Sequence, residues 1–71
     1  MNKKREEILR KIEGYMKFRG IDRKELAKRW GKSEIYVYRR LRAKVELSLT
    51  DILDLCYILN FSKEEAADIF F

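Results

Sequence analysis

An all-helical fold is predicted by three features of this chain. There is no proline and only three glycines in 71 residues, apolar residues recur at spacings of three and four from end to end, and a capping residue precedes most of the periodic stretches. With 46% apolar and 41% charged residues, the composition is that of a globular domain rather than a disordered chain. The length allows one domain, 1–71, with residues 1–5 as a candidate flexible basic arm. A chain this short buries only about 60% of the surface its unfolded form exposes, so it needs efficient helix packing or a partner.

The elements follow in order. After Lys3-Lys4-Arg5, the residues Ile8, Leu9, Ile12, Tyr15 and Met16 share one helical face, and Gly20 stands where a left-handed C-cap ends the helix. Asp22 is the expected N-cap of a short second helix, with Glu25 three residues on to close a capping box; Leu26, Ala27 and Trp30 face inward and Gly31 ends it. Ser33 caps a third helix running from about Glu34 to Arg42. Stepping about 100° per residue places Val37 and Leu41 on its buried side and Ile35, Tyr36, Arg39 and Arg42 on the outer one, with Glu34 and Tyr38 at the edge. Ser48 with Asp51, or Thr50 two residues later, caps a fourth helix through Ile52, Leu53, Leu55, Cys56 and Leu59, and Asn60 is its expected C-cap. Ser62 and Glu65 form a last capping box, Phe61 is placed to staple onto Ala66, and Ala66, Ile69 and Phe70 carry the fifth helix to the end. Five short helices with short connections predict a compact orthogonal array.

Several function classes are unattractive from composition alone. With no histidine, the commonest acid–base residue and metal ligand is missing. The single Cys56 lies in an apolar helix and reads as a core thiol. Neither catalytic residues, a metal, a cofactor nor a small-molecule ligand is expected. A tyrosine-recombinase fragment built on Tyr36 or Tyr38 would need an arginine–histidine set that the chain lacks. No apolar run approaches the roughly 20 residues of a membrane span, and no signal peptide appears, so a cytoplasmic protein without a membrane partner is expected.

The charge distribution is more telling than the net +5. Residues 23–44 carry nine basic side chains (Arg23, Lys24, Lys28, Arg29, Lys32, Arg39, Arg40, Arg42 and Lys44) against Glu25 and Glu34. Residues 45–71 carry only Lys63 against six acids. A basic centre beside an acidic tail is the electrostatic footprint of a surface laid on phosphates. The basic stretch also has the spacing of a helix-turn-helix. Ala27 is small enough for two helices to approach, Gly31 takes a turn conformation that a side chain opposes, and Val37 locks the second helix against Leu26 and Trp30.

The segment ELAKRWGKSEIYVYRRL, with one helix before it and two after, resembles the lambda-repressor-like, Cro-type helix-turn-helix family, in particular small regulators of Gram-positive phages and prophages. The resemblance covers residues 8–71 and is densest over 22–41. It implies a five-helix domain with its helix-turn-helix at the second and third helices, the third in the major groove of double-stranded DNA, and operator binding as a homodimer. The family's base-reading positions fall on Glu34, Ile35 and Arg39, and its backbone-contacting ones on Arg23 and Lys44. The outward-face geometry independently selects Ile35 and Arg39 and adds Tyr36 to the base-reading set. Lys28, Lys32, Arg40 and Arg42 complete the basic block expected at phosphates. Two departures stand out. Glu34-Ile35-Tyr36 replaces the polar residues usual at the start of the third helix, and Arg42-Ala43-Lys44 has no glycine where many members turn.

The terminal Ile69-Phe70-Phe71 is the expected dimer contact, because so small a domain has little room to hide all three side chains. The expected function is a transcriptional regulator, a repressor or Cro-like protein. The alternative is a protein-binding module on the same scaffold, such as an antirepressor or a phage inhibitor of a host factor, with Ile35 and Tyr36 as anchors.

Overall fold

Each of the five periodic stretches forms an α-helix in the computed structural model, which describes residues 4–71. They are α1 (Arg5–Phe18), α2 (Arg23–Trp30), α3 (Glu34–Leu41), α4 (Leu49–Ile58) and α5 (Lys63–Phe70), with no strand among the described residues. No helix is long and apolar enough to cross a membrane. The arm expected over 1–5 is described only at its end, Lys3 lying outside the described residues. Lys4 is the N-cap of α1, and Arg5 opens the helix with its guanidinium 3.3 Å from Glu46.

One stop signal ends four of the helices. After α1, the Gly20 N–H donates to Lys17 O and the Ile21 N–H to Met16 O, with Gly20 at φ +70°. The same pair of bonds recurs after α2 around Gly31, after α3 around Ala43 and after α4 around Asn60, whose φ values are +70°, +59° and +55°. The starts are equally regular. Asp22, Ser33, Ser48 and Ser62 each accept from the backbone N–H three residues on, a contact worth about 1 kcal/mol apiece. Ser48–Asp51 and Ser62–Glu65 are full capping boxes. The box expected from Asp22 and Glu25 is only half formed: Glu25 turns down the helix to Arg29 Nε, 2.8 Å away. A guanidinium one turn below is a stronger partner for a carboxylate than a neutral backbone N–H.

The core is a single cluster, with Ile12, Leu26, Val37, Leu55, Leu59 and Ile69 fully buried at its centre. α2 packs on α3 and α4, and α5 packs on α1. The last packing corrects the expected dimer contact. Ile69 is 0% and Phe70 3% exposed, both inside the protomer, and only Phe71 of that trio faces solvent. α5 is held down by Lys11 Nζ at 2.7 Å from Asp68 and by Arg19 Nη2, which donates to both oxygens of Glu65 at 2.8 and 3.0 Å. The Tyr15 ring, edge-on to Phe61, completes this seam. The fold thus buries two of the three apolar side chains that the sequence offered to a partner, Ile69 and Phe70.

Candidate nucleic-acid interface

The corner between α2 and α3 is a three-residue connection, Gly31-Lys32-Ser33. Gly31 supplies the left-handed turn, the Lys32 N–H closes it on Ala27 O at 3.0 Å, and Ser33 Oγ accepts from the Tyr36 N–H to start α3. Leu26, Ala27, Val37 and Leu41 are all buried at this corner. The first turn of α3, with Glu34 and Ile35, therefore projects from the body.

Beyond that point α3 has two polar faces with different fates. On the outer arc lie Glu34, Ile35, Tyr38, Arg39 and Arg42, all exposed, Ile35 to 53%. Among the described residues Arg39 and Arg42 make no ion pair, and the arc follows from the helical step alone. Tyr38, which the sequence left at the edge of the core, belongs to this arc. Its ring carries the Arg23 guanidinium, 4.9 Å from its centroid. The available signal was its position on the wheel between Glu34 and Arg42.

The opposite arc corrects two expectations. Tyr36 was expected to read bases, but its hydroxyl donates to Asp51 Oδ1 at 2.8 Å. Its ring is covered by the Arg40 guanidinium, 3.5 Å from the centroid, and meets Trp30 edge-on. Arg40 was expected at phosphate, but its Nε donates to Asp51 Oδ2 at 3.0 Å, and its side chain is only 17% exposed. Both are drawn inward by the buried carboxylate of Asp51, at the first turn of α4 and 3% exposed. Burial pushes that carboxyl up. Hydrogen bonds from the Ser48 N–H, the Tyr36 hydroxyl and Arg40, with the charge of Arg40, outweigh burial and hold it below the usual carboxylate value. The same bond, then burial, raises the Tyr36 hydroxyl. Tyr36, Arg40 and Asp51 are a weld between α3 and α4, and Trp30 Nε1, donating to Asp54 at 2.9 Å, ties α2 to the same helix.

Cations flank the outer arc on both sides. An open groove of about 890 Å³ runs along α2 and the start of α3, lined by Lys24, Lys28, Lys32 and Glu34 among others. Arg42 and Lys44 lie exposed at the far end of α3. Of the basic residues in 23–44, Arg29 is taken up by Glu25 and Arg40 by Asp51. Lys32 also lies over the Tyr36 ring, its Nζ 5.0 Å from the centroid, while remaining exposed. The arrangement offers an apolar and a guanidinium group at the middle of one exposed helix face and point charges around it. Among the described residues no cluster of three histidine, cysteine or carboxylate side chains is placed to hold a metal. Cys56 is half-buried rather than fully enclosed, and burial raises its thiol, keeping it protonated near neutrality.

Set against known proteins, the chain has no matching family model, no matching curated protein and no matching solved structure.

Proposed function

We propose that the protein is a sequence-specific, double-stranded-DNA-binding transcriptional regulator, with α2–α3 as its helix-turn-helix and α3 laid in the major groove. A repressor or Cro-like role in a phage or prophage fits the family that the sequence resembles. The observation that carries the reading is the split of α3. One polar face is saturated internally, while the other presents Ile35 and Arg39 bare, with cations on both sides. A helix face kept open in this way suits base edges, and its flanks suit phosphates. Arg39 matches guanine O6 and N7, Ile35 a thymine methyl, and Glu34 the amino group of cytosine. Lys28, Lys32, Arg42 and Lys44 fall to phosphates, with Arg23 positioned on the Tyr38 ring.

Selection of bound sequences from a random duplex pool, followed by titration of the winner at several salt concentrations, tests the reading. If about four to six phosphates are neutralised per protomer, a dimer's log–log slope lies near −7 to −11. A slope near zero with the protein folded removes the claim. Failure to bind any duplex at low salt favours a protein-binding module, with Ile35 as its anchor and without Tyr36, which is committed to Asp51.

A further inference from the structure

α4 carries an apolar stripe that the fold leaves uncovered. Leu49, Leu53 and Tyr57, spaced at i, i+4 and i+8, are 72%, 61% and 86% exposed, on the side of the helix away from the buried Leu55. We propose that this stripe is a self-association surface, and that its occupant is the same stripe of a second copy of the chain.

Charge selects the occupant. α4 has no basic residue, so nothing on it attracts a nucleic acid or an anionic membrane surface. Its two carboxylates are turned away from the stripe: Asp51 to Arg40 and Tyr36, and Asp54 to Trp30. The stripe is thus uncharged, whereas 23–44 is crowded with like charges. Two copies approaching through α4 avoid the repulsion they would meet through their basic faces. The row is also self-complementary. Crossing two i, i+4 ridges at about −50° puts the central residue of each row on a two-fold axis. Leu53 then meets Leu53, and the smaller Leu49 faces the larger Tyr57 of the other copy. The three side chains offer on the order of 450 Å² per protomer, which is the area of a weak pair rather than an obligate one.

The consequence for DNA rests on the function proposed above. Because Asp51 welds α4 to α3, a symmetric α4 contact sets the spacing and angle of the two α3 helices.

The test is run without DNA, so that it stands or falls separately from the DNA-binding reading. In a Cys56→Ser background, Leu53→Cys under mild oxidation is expected to form an interchain disulfide at least about tenfold faster than Phe18→Cys, which reports random collision from an 88% exposed site on α1. In sedimentation equilibrium from micromolar to millimolar concentration, Leu53→Glu raises the self-association Kd by about 100-fold, because the symmetric contact loses the residue twice. Phe18→Ser, with helical content monitored in every variant, leaves it unchanged. A strict monomer at millimolar concentration overturns the proposal. So does equal crosslinking at 53 and 18, or equal weakening by the two exposed-site substitutions. A dimer that passes these tests but binds no duplex keeps the surface and removes the DNA reading.

Discussion

Residues 23–44 and 45–71 spend their charges in opposite directions. The acidic half turns five of its six carboxylates onto other parts of the molecule, Glu64 staying exposed. Glu46 lies by Arg5, Asp51 by Arg40, Asp54 by the indole of Trp30, Glu65 by Arg19 and Asp68 by Lys11. The basic half leaves Lys24, Lys28, Lys32, Arg39, Arg42 and Lys44 exposed. The acidic half therefore acts as internal scaffolding, and what remains outside is a concentrated positive face. The boundary between these uses runs through two adjacent residues: Arg40 is held by Asp51, whereas Arg39 makes no ion pair among the described residues.

Breaking the scaffold has the largest expected effect. Asp51→Ala strands the Arg40 guanidinium and the Tyr36 hydroxyl in largely buried surroundings and removes a capping box. A loss of about 3 kcal/mol is expected, read as a fall in Tm of roughly 12–24 °C for a domain of this size. A loss below about 1 kcal/mol would mean that the weld does not hold α3. The pH dependence points the same way. Asp51 and Glu65 titrate below their ordinary values when folded, Glu65 because of the Ser62 N–H and then Arg19. Between the folded and unfolded values the unfolded chain binds more protons, so stability rises with pH there. It is complete above the unfolded value near pH 4 and is lost as pH falls through the folded ones. Urea titrations across that range, with Asp51→Asn showing a flatter acid limb, provide the check.

Arg39→Ala sharpens the same boundary on the other side. Its Tm is expected to stay within about 2 °C of the parent, since an exposed side chain without an ion pair holds nothing together. Operator binding falls roughly 5- to 150-fold per half-site, the value of one bidentate guanine contact, while scrambled duplex loses little. Arg42→Ala or Lys44→Ala weakens both duplexes alike and makes the salt slope shallower by about 1 per protomer. Paired titrations at matched salt separate the cases. Equal losses on both duplexes for Arg39→Ala would reassign it to the backbone.

The sequence made the local signals legible and hid the long-range ones. Gly20, Ser33, Ser48 with Asp51, and Ser62 with Glu65 act within a few residues of themselves, so their roles could be read from spacing. Tyr36 and Arg40 could not. A helical wheel sees the helix, but not the carboxylate 11 to 15 residues further on that pulls both side chains inward. Ile69 and Phe70 were assigned to a partner because the docking of α5 on α1 is invisible to periodicity. The opposite case is Leu53, which the periodicity groups with Leu55 and Leu59 but which the fold leaves 61% exposed. A 71-residue array has too few neighbours to cover Leu49, Leu53 and Tyr57. Cap chemistry fixes where helices begin and end, whereas the pairing of their faces decides which residues remain for a site.

The smallest predicted effect concerns the two turns that frame α3. The helix is entered through Gly31 at φ +70° and left through Ala43 at φ +59°, with the same pair of backbone hydrogen bonds at each. Alanine in the left-handed region costs about 1–2 kcal/mol. Glycine removes that cost but loses about 0.5–1 kcal/mol through the greater freedom of the unfolded chain. Ala43 also packs its methyl, half-buried, against the core. The balance predicts that Ala43→Gly gains about 0.5 kcal/mol, a rise of roughly 2–4 °C in Tm. Gly31→Ala is its mirror. A Cβ there meets nothing within 4 Å, so the penalty is purely of the backbone and close to 1 kcal/mol. Thermal melts of both variants and of the double variant measure the two turns against one another. A fall in Tm for Ala43→Gly would show that the methyl's packing outweighs the strain, and that the missing glycine after α3 is compensated by the core rather than tolerated as a cost.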